Sequence, residues 1–351
     1  MLTQYEQHPG LVLFAELLVA APSGREQGVA AVIRQKLDEM GVAHETDGAG
    51  NVLVRLNGRS ATAPLCCLAS HMDEIGMVVT RILPNGTLQV ERSGGLFAWK
   101  LGEGPVELLG DKASVVGVLS MGSTHTAERA GGVAWGDVRV LTGLTPAQLA
   151  EAGVRVGTTA VPVRARRGPV LFGDPADPLV GAWTFDDRLG CVTLLRLLQW
   201  LQQTGQEPFH PTVIAFTTQE EVGGIGAKWV AQKLQPEIFI AVDGAPIPPE
   251  TSLLLDGRPA AWSKDRLTHY DQRLLADLSA AAERVGTGLQ TAVFTSAASD
   301  ASLVAYSGLA ARVACMGQVR ENSHGYEVAR LAVFDNMLHT LAEFVVMGAS
   351  K

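Results

Sequence analysis

Five short stretches of this chain bring carboxylates and imidazoles together at spacings that suit metal chemistry. They are Ser70-His71-Met72-Asp73-Glu74, Asp186-Asp187-Arg188, Thr218-Gln219-Glu220-Glu221, Asp243-Gly244 and Asn322-Ser323-His324-Gly325. Three of them follow directly on an apolar run, at residues 65–69, 212–217 and 238–242. Carboxylates crowded at low dielectric repel one another and resist ionisation. Dications remove that repulsion, and a mixed histidine and carboxylate set suits zinc, cobalt or manganese. A hydrolytic site with two ions needs a carboxylate that bridges them, further ligands for each, and a shared water, with the ions about 3.5–4 Å apart.

Each stretch alone has an ordinary explanation. His71 with Asp73 could be a loop hydrogen bond, and Asp186-Asp187 a helix cap with a favourable dipole partner. Glu220-Glu221 could be a solvated turn, Asp243 a loop cap, and His324 a satisfied core or surface histidine. Their joint placement at strand ends of one α/β domain is what favours metal.

The elements that must position them read as follows. Residues 11–20 form a helix with Leu13, Leu17 and Leu18 on one stripe, ended by Pro22-Ser23-Gly24. Ser23 with Glu26 has the capping-box pattern and opens a second helix to about residue 40. Residues 51–56 and 65–69 are strands, the second apolar throughout and therefore central and parallel. Between residues 76 and 167 the texture changes to short alternating runs (87–90, 113–119, 159–163) punctuated by Gly and Pro, which predicts a small all-β barrel or sandwich. From about residue 180 the α/β texture returns: a helix at 191–203, strands at 212–217 and 238–242, and helices from 226, at 274–285 and at 331–346. Alternating units of this kind build a mostly parallel sheet with helices on both faces. Such sheets bind ligands at the carboxyl ends of their strands. The expected division is a catalytic α/β domain made of residues 1–75 and 168–351, with an inserted β domain at 76–167.

The bulk numbers bound the rest. At 351 residues the chain has room for two domains, and 47% hydrophobic with 18% charged residues supports a large core. A net charge of -8 argues against nucleic acid and anionic membrane as partners. Cys66, Cys67, Cys191 and Cys315 lie in apolar stretches without any CxxC pair, which suits buried free thiols in a reducing compartment. The first residues, MLTQYEQHPG, lack the pattern of a signal peptide. No apolar run reaches the roughly 18 residues of a membrane span. A cytoplasmic protein is expected.

The motifs HMDEIG (71–76), FDDRLGC (185–191), TTQEEVGGIGA (217–227) and VDG (242–244) resemble those of the dinuclear aminopeptidases that assemble into tetrahedral (TET) particles. That family also holds glutamyl aminopeptidases and members described as endoglucanases. The resemblance covers nearly the whole chain. It implies a zinc-exopeptidase-like α/β fold with a small barrel or PDZ-like insertion. It also implies two divalent ions per subunit, zinc first, with cobalt or manganese as alternatives. His71 would bind one ion, Glu221 would ligate one and Asp243 the other, His324 would complete the set, and Asp186 would bridge, with an unusual peptide bond to Asp187. Asp73 would orient the His71 imidazole from behind. Glu220 would be the general base. The implied activity is release of N-terminal residues from peptides. The insertion would dimerise, and the dimers would assemble into a homo-oligomeric dodecamer enclosing a chamber.

Three stretches depart from the family pattern. Arg320-Glu321-Asn322-Ser323-His324-Gly325-Tyr326 replaces a Tyr-Ile-His-Ser type of stretch. Ala298-Ser299-Asp300 stands where Gly-Thr-Asp is common, and residues 246–264 are Pro-rich. The competing reading is another metal-dependent amidase, such as a deacylase or carboxypeptidase, whose scaffold lacks a β insertion here. Glycoside hydrolysis would need two carboxylates free of metal. A metal-binding subunit without activity would be expected to lack Glu220 or a ligand, and none is missing.

Overall fold

The structure, a computed structural model, describes residues 2–123 and 132–350. Along the chain come helices α1 (Pro9–Leu17) and α2 (Gln27–Glu39) and strands β1 (Glu45–Thr46), β2 (Val52–Leu56) and β3 (Cys66–His71). Six strands follow: β4 (Gly76–Ile82), β5 (Leu88–Ser93), β6 (Gly104–Leu109), β7 (Ser114–Ser120), β8 (Arg139–Leu141) and β9 (Thr159–Pro162). Helices α3 (Ala98–Leu101) and α4 (Pro146–Glu151) lie among them. Then come β10 (Val170–Phe172), β11 (Leu179–Trp183), α5 (Phe185–Thr204), β12 (Thr212–Thr217), α6 (Ile225–Leu234), β13 (Ile238–Pro246) and β14 (Ala260–Lys264). The chain closes with α7 (Gln272–Arg284), β15 (Gln290–Val293), α8 (Asp300–Tyr306), β16 (Arg312–Arg320), β17 (Tyr326–Arg330) and α9 (Val333–Met347).

The main sheet runs β1-β2-β12-β3-β13-β16-β14-β15. Its four central strands, β12, β3, β13 and β16, are mutually parallel. The pairs β1–β2, β2–β12 and β14–β16 are antiparallel, so the flanks are mixed. β3 and β12 are buried along their whole length, as strands covered on both faces must be. Phe216 pairs with Ser70 and Thr217 with His71, so Ser70 and Thr217 point to opposite faces. Ser70 Oγ donates to Asp187 of α5 at 2.6 Å, and Thr217 Oγ1 donates to Asp300 of α8 at 2.6 Å. Helices therefore cover both faces, and one end of the sheet is polar on each.

The six strands β4 to β9 close into an antiparallel barrel with the order β4-β5-β8-β7-β6-β9. β7 alternates exposed and buried residues, the period of a one-sided strand. Met77, Val79, Leu88, Val90, Val106, Leu108, Leu119 and Val140 fill the interior as a core separate from that of the main sheet. Of the expected insertion, residues 124–131 lie outside the described set. A second small sheet, β10-β11-β17, is antiparallel and carries the chain into α5. It was not anticipated from the sequence.

One local expectation is corrected. Ser23 and Glu26 make no capping box: α2 starts at Gln27, with Glu26 at its N-cap and no side-chain cap bond. Ser23 Oγ donates instead to the Asp73 carboxylate at 2.6 Å. Glu26 Oε1 accepts from Gly24 N and, across the fold, from Gln219 N at 3.2 Å. A buried ionised acceptor outcompetes a helix amide for the hydroxyl. Among the described residues no helix is long and apolar enough to cross a membrane, and all four cysteines are buried and free.

Candidate metal centre

The polar end of the sheet gathers the residues singled out above. His71 ends β3, Asp243 lies in β13, Glu220 and Glu221 follow β12 in a turn, and Asp186 opens α5. The backbone at Asp186 and Asp187 is not yet helical, and the peptide bond between them is cis. His324 sits in the hairpin between β16 and β17 with a φ of +56°, a left-handed position that histidine tolerates better than most residues.

Two sets of potential ligand atoms emerge. One atom from each of His71, Asp186 and Asp243 falls within 4.8 Å of the others, and so does one from each of Asp186, Glu221 and His324. Asp186 belongs to both sets. Its Oδ1 lies 3.0 Å from His71 Nε2 and its Oδ2 lies 3.6 Å from His324 Nε2. His324 Nε2 is also 3.9 Å from Glu221 Oε2. Glu220 belongs to neither set.

Both imidazoles are oriented through Nδ1. His71 Nδ1 faces the Asp73 carbonyl at 3.1 Å, and His324 Nδ1 faces the Gly95 carbonyl at 3.0 Å. A carbonyl can only accept, so Nδ1 carries a proton in each ring, and in the neutral imidazole Nε2 is then the nitrogen with a lone pair for a cation. The Asp73 carboxylate lies farther from His71 Nδ1, at 3.4 Å. Its closer partners are Ser23 Oγ and the amides of Glu220 (2.9 Å) and Glu221 (3.2 Å). Asp73 thus shapes the turn that carries the two glutamates as well as bordering the imidazole.

The barrel segment forms one wall. Gly94 and Gly95, between β5 and α3, press against Glu221 and His324. A Cβ added at Gly95 would fall 2.7 Å from the His324 ring, and one at Gly94 3.2 Å from Glu221. At Gly94 a φ of +78° disfavours a side chain, and at Gly95 a Cβ would require the His324 ring to shift.

Burial first, and neighbouring carboxylates next, raise the proton affinity of several groups. Glu221 is pushed up to about 7, with Asp186 and Asp73 opposing its charge, and Asp243 to about 6, with Asp186 opposing it. Glu220 is also raised, by burial and by Asp300, Asp243 and Glu221. Glu221 Oε1 is buried without a hydrogen-bond partner. Crowded carboxylates, an orphaned acceptor and two imidazoles whose Nε2 atoms face those carboxylates form a donor set that fits divalent metal ions.

Several participants escaped the sequence reading. Arg320, fully buried, donates through Nη2 to Asp186 Oδ2 and through Nε to Glu327 Oε1 at 2.8 Å. Glu327 Oε2 accepts the amide of Asp186 at 2.9 Å. Asp300, pushed up to about 7 chiefly by burial, lies behind the glutamate turn with Oδ1 unpaired. The available signal was an arginine ending an apolar strand, with a glutamate seven residues on across a turn. It points to an ion pair, but to no target.

A family model described as M42 glutamyl aminopeptidase matches residues 50–339. The glutamyl aminopeptidase of Lactococcus lactis is 30% identical over 248 residues, covering 65% of this chain and 64% of that protein. The chain spans less than two-thirds of the length of this and the next curated relatives, 62% and 59% for those two. An aminopeptidase from the archaeon Desulfurococcus kamchatkensis superposes with a TM-score of 0.86 at 24% identity, over 98% of this chain and 96% of that one. The TET1 peptidase of Pyrococcus horikoshii, described as able to assemble into a tetrahedron or a large octahedral shell, gives 0.82 at 24% identity, over 96% and 98%. At such identities the structures speak for the fold.

Proposed function

The chain belongs to the M42 glutamyl aminopeptidase family, and from that premise we propose that it is a metal-dependent aminopeptidase that releases N-terminal residues from peptides. The observation that carries this reading is the sharing of Asp186 between two ligand sets, with Glu220 in neither set but in electrostatic contact with His71, Asp243 and Glu221. His71 and Asp243 would hold one divalent ion, Glu221 and His324 the other, and Asp186 would bridge them. Zinc suits the set first, cobalt and manganese next. Ions held there would polarise the scissile carbonyl and make the shared water acidic.

The chain's own groups do the rest. Glu220, its backbone pinned by Asp73, accepts a proton from the attacking water at its carboxylate and returns it to the leaving amine. Asp73 keeps His71 and the glutamate turn in register. The Nδ1 bonds to the Asp73 and Gly95 carbonyls hold both imidazoles against rotation.

The insertion is proposed as a dimerisation module of a closed homo-oligomer, a dodecamer in the simplest case. Exposed Val116, Val118 and Leu141 on neighbouring barrel strands support a covered face, with Val118 and Leu141 paired. Buried unpaired thiols suit a cytoplasmic setting.

The test is a metal-supplemented screen of aminoacyl chromogenic substrates with a free α-amine, beside their N-acylated counterparts, with the protein's size measured in parallel. Turnover confined to free amines is expected. Turnover confined to the acylated compounds would replace this reading with a deacylase.

A further inference from the structure

Glu327 is 1% exposed and lies on β17, opposite Ala182 of β11. Its two oxygens receive three donors from three places. Oε2 accepts the amide of Asp186 at 2.9 Å, and Oε1 accepts the amide of His324 at 3.2 Å and Nε of Arg320 at 2.8 Å. Arg320 in turn donates to Oδ2 of Asp186. We propose that Glu327 is a positioning residue for the metal ligands, one carboxylate that sets the backbone of both Asp186 and His324 and steers, through Arg320, the outer oxygen of Asp186. This rests on the metal reading above.

Three observations carry it. First, the oxygens of Glu327 are engaged by N–H donors, and the residue falls in neither ligand set, so it does not serve as a ligand itself. Second, a guanidinium beside Asp186 and Asp243 adds positive charge where dications would bind, which by Coulomb's law alone weakens their binding. Its presence is explained by what it orients. Third, the fold makes room for it: a Cβ at Gly244 would fall 1.1 Å from Arg320 Nη1, so the glycine after Asp243 is what admits the guanidinium. A buried ion pair of this kind does little for stability compared with an apolar pair, while removal of one partner leaves an uncompensated charge.

The geometry also sets what each substitution does. Only a carboxylate can accept all three donors. In Glu327→Gln the amide nitrogen would confront an N–H, either of Asp186 or of His324 and Arg320. In Arg320→Lys the charge remains, but one ammonium cannot span Glu327 and Asp186 with the fork of a guanidinium.

The experiment measures zinc affinity of the full chain, stripped of metal, by competition with a chromogenic chelator, and the melting temperature with and without zinc. For Glu327→Gln, zinc affinity should fall on the order of 10–100-fold, and the zinc-dependent rise in melting temperature should shrink. Arg320→Lys, the milder change, should shift affinity in the same direction and keeps the test decisive if Glu327→Gln does not fold. A lower metal-free melting temperature with unchanged zinc affinity in the variants would mark the pair as purely structural and overturn the proposal. Failure of the wild-type protein to bind zinc tightly would instead overturn the metal reading, and this inference with it.

Discussion

The carboxylate of Asp73 accepts the backbone N–H of Glu220 at 2.9 Å, across 147 residues of sequence. The same group takes the amide of Glu221 and the hydroxyl of Ser23 and lies 3.4 Å from His71 Nδ1. The segment after β3 and the turn after β12 are therefore one unit.

Asp73→Asn should uncouple that unit. An amide cannot accept with both ends, so one buried N–H loses its partner at a cost of about 1–3 kcal/mol. Turnover should fall on the order of 10–100-fold, with both ions still bound by elemental analysis. Wild-type turnover in this variant would mean that Asp73 is only a structural acceptor.

Glu220→Gln should retain its metal and lose about 10²–10⁴-fold in kcat, the usual worth of a general base. Asp186→Asn should do the reverse, losing metal before anything else. Metal content and rate measured on both variants separate the roles. A Glu220→Gln enzyme at full rate, or an Asp186→Asn protein with two ions per chain, would reject the corresponding assignment.

Gly95→Ala should disturb the site from the barrel side. The new methyl would lie 2.7 Å from two ring atoms of His324, closer than real contacts allow. The ring must shift from its place against Asp186 and Glu221, so metal occupancy should drop while the barrel stays folded. Full occupancy by elemental analysis would show that the hairpin yields without loss.

The thiols give a pH prediction. Burial pushes Cys66 from an ordinary 9.0 up to about 12, and Cys191 likewise, with Asp187 adding to the effect. Raised pKa values in the folded state mean that the unfolded chain ionises first. Their stabilising contribution is complete below pH 9 and is lost as pH rises toward 12. Denaturant midpoints should decline over that window, and a thiol reagent at pH 8 should label the native protein slowly and the unfolded protein at once. Rapid labelling of native Cys66 or Cys191 would contradict their burial.

Much of the frame was legible. The apolar runs at 65–69, 212–217 and 238–242 are strands β3, β12 and β13, because a strand covered on both faces reads as a nearly continuous apolar run. Alternation between 76 and 167 foretold a one-sided β structure, and the structure resolves barrel from sandwich in favour of a barrel. The Ser23 pattern misled because a local rule met a stronger distant acceptor. The sheet's mixed edges were illegible, since hydropathy does not record strand direction.

What the sequence determined by itself is chemical type and local placement: which residues can hold a cation, and that they stand at strand ends, since side-chain chemistry and hydrophobic period are properties of neighbouring residues. What only the tertiary structure decided is who meets whom. The sheet order brings Asp186 between two ligand sets. Barrel closure sets the Gly95 carbonyl against His324, 229 residues away. The small sheet places Glu327 behind both. Those contacts depend on strand order and close backbone approach, which no local pattern encodes.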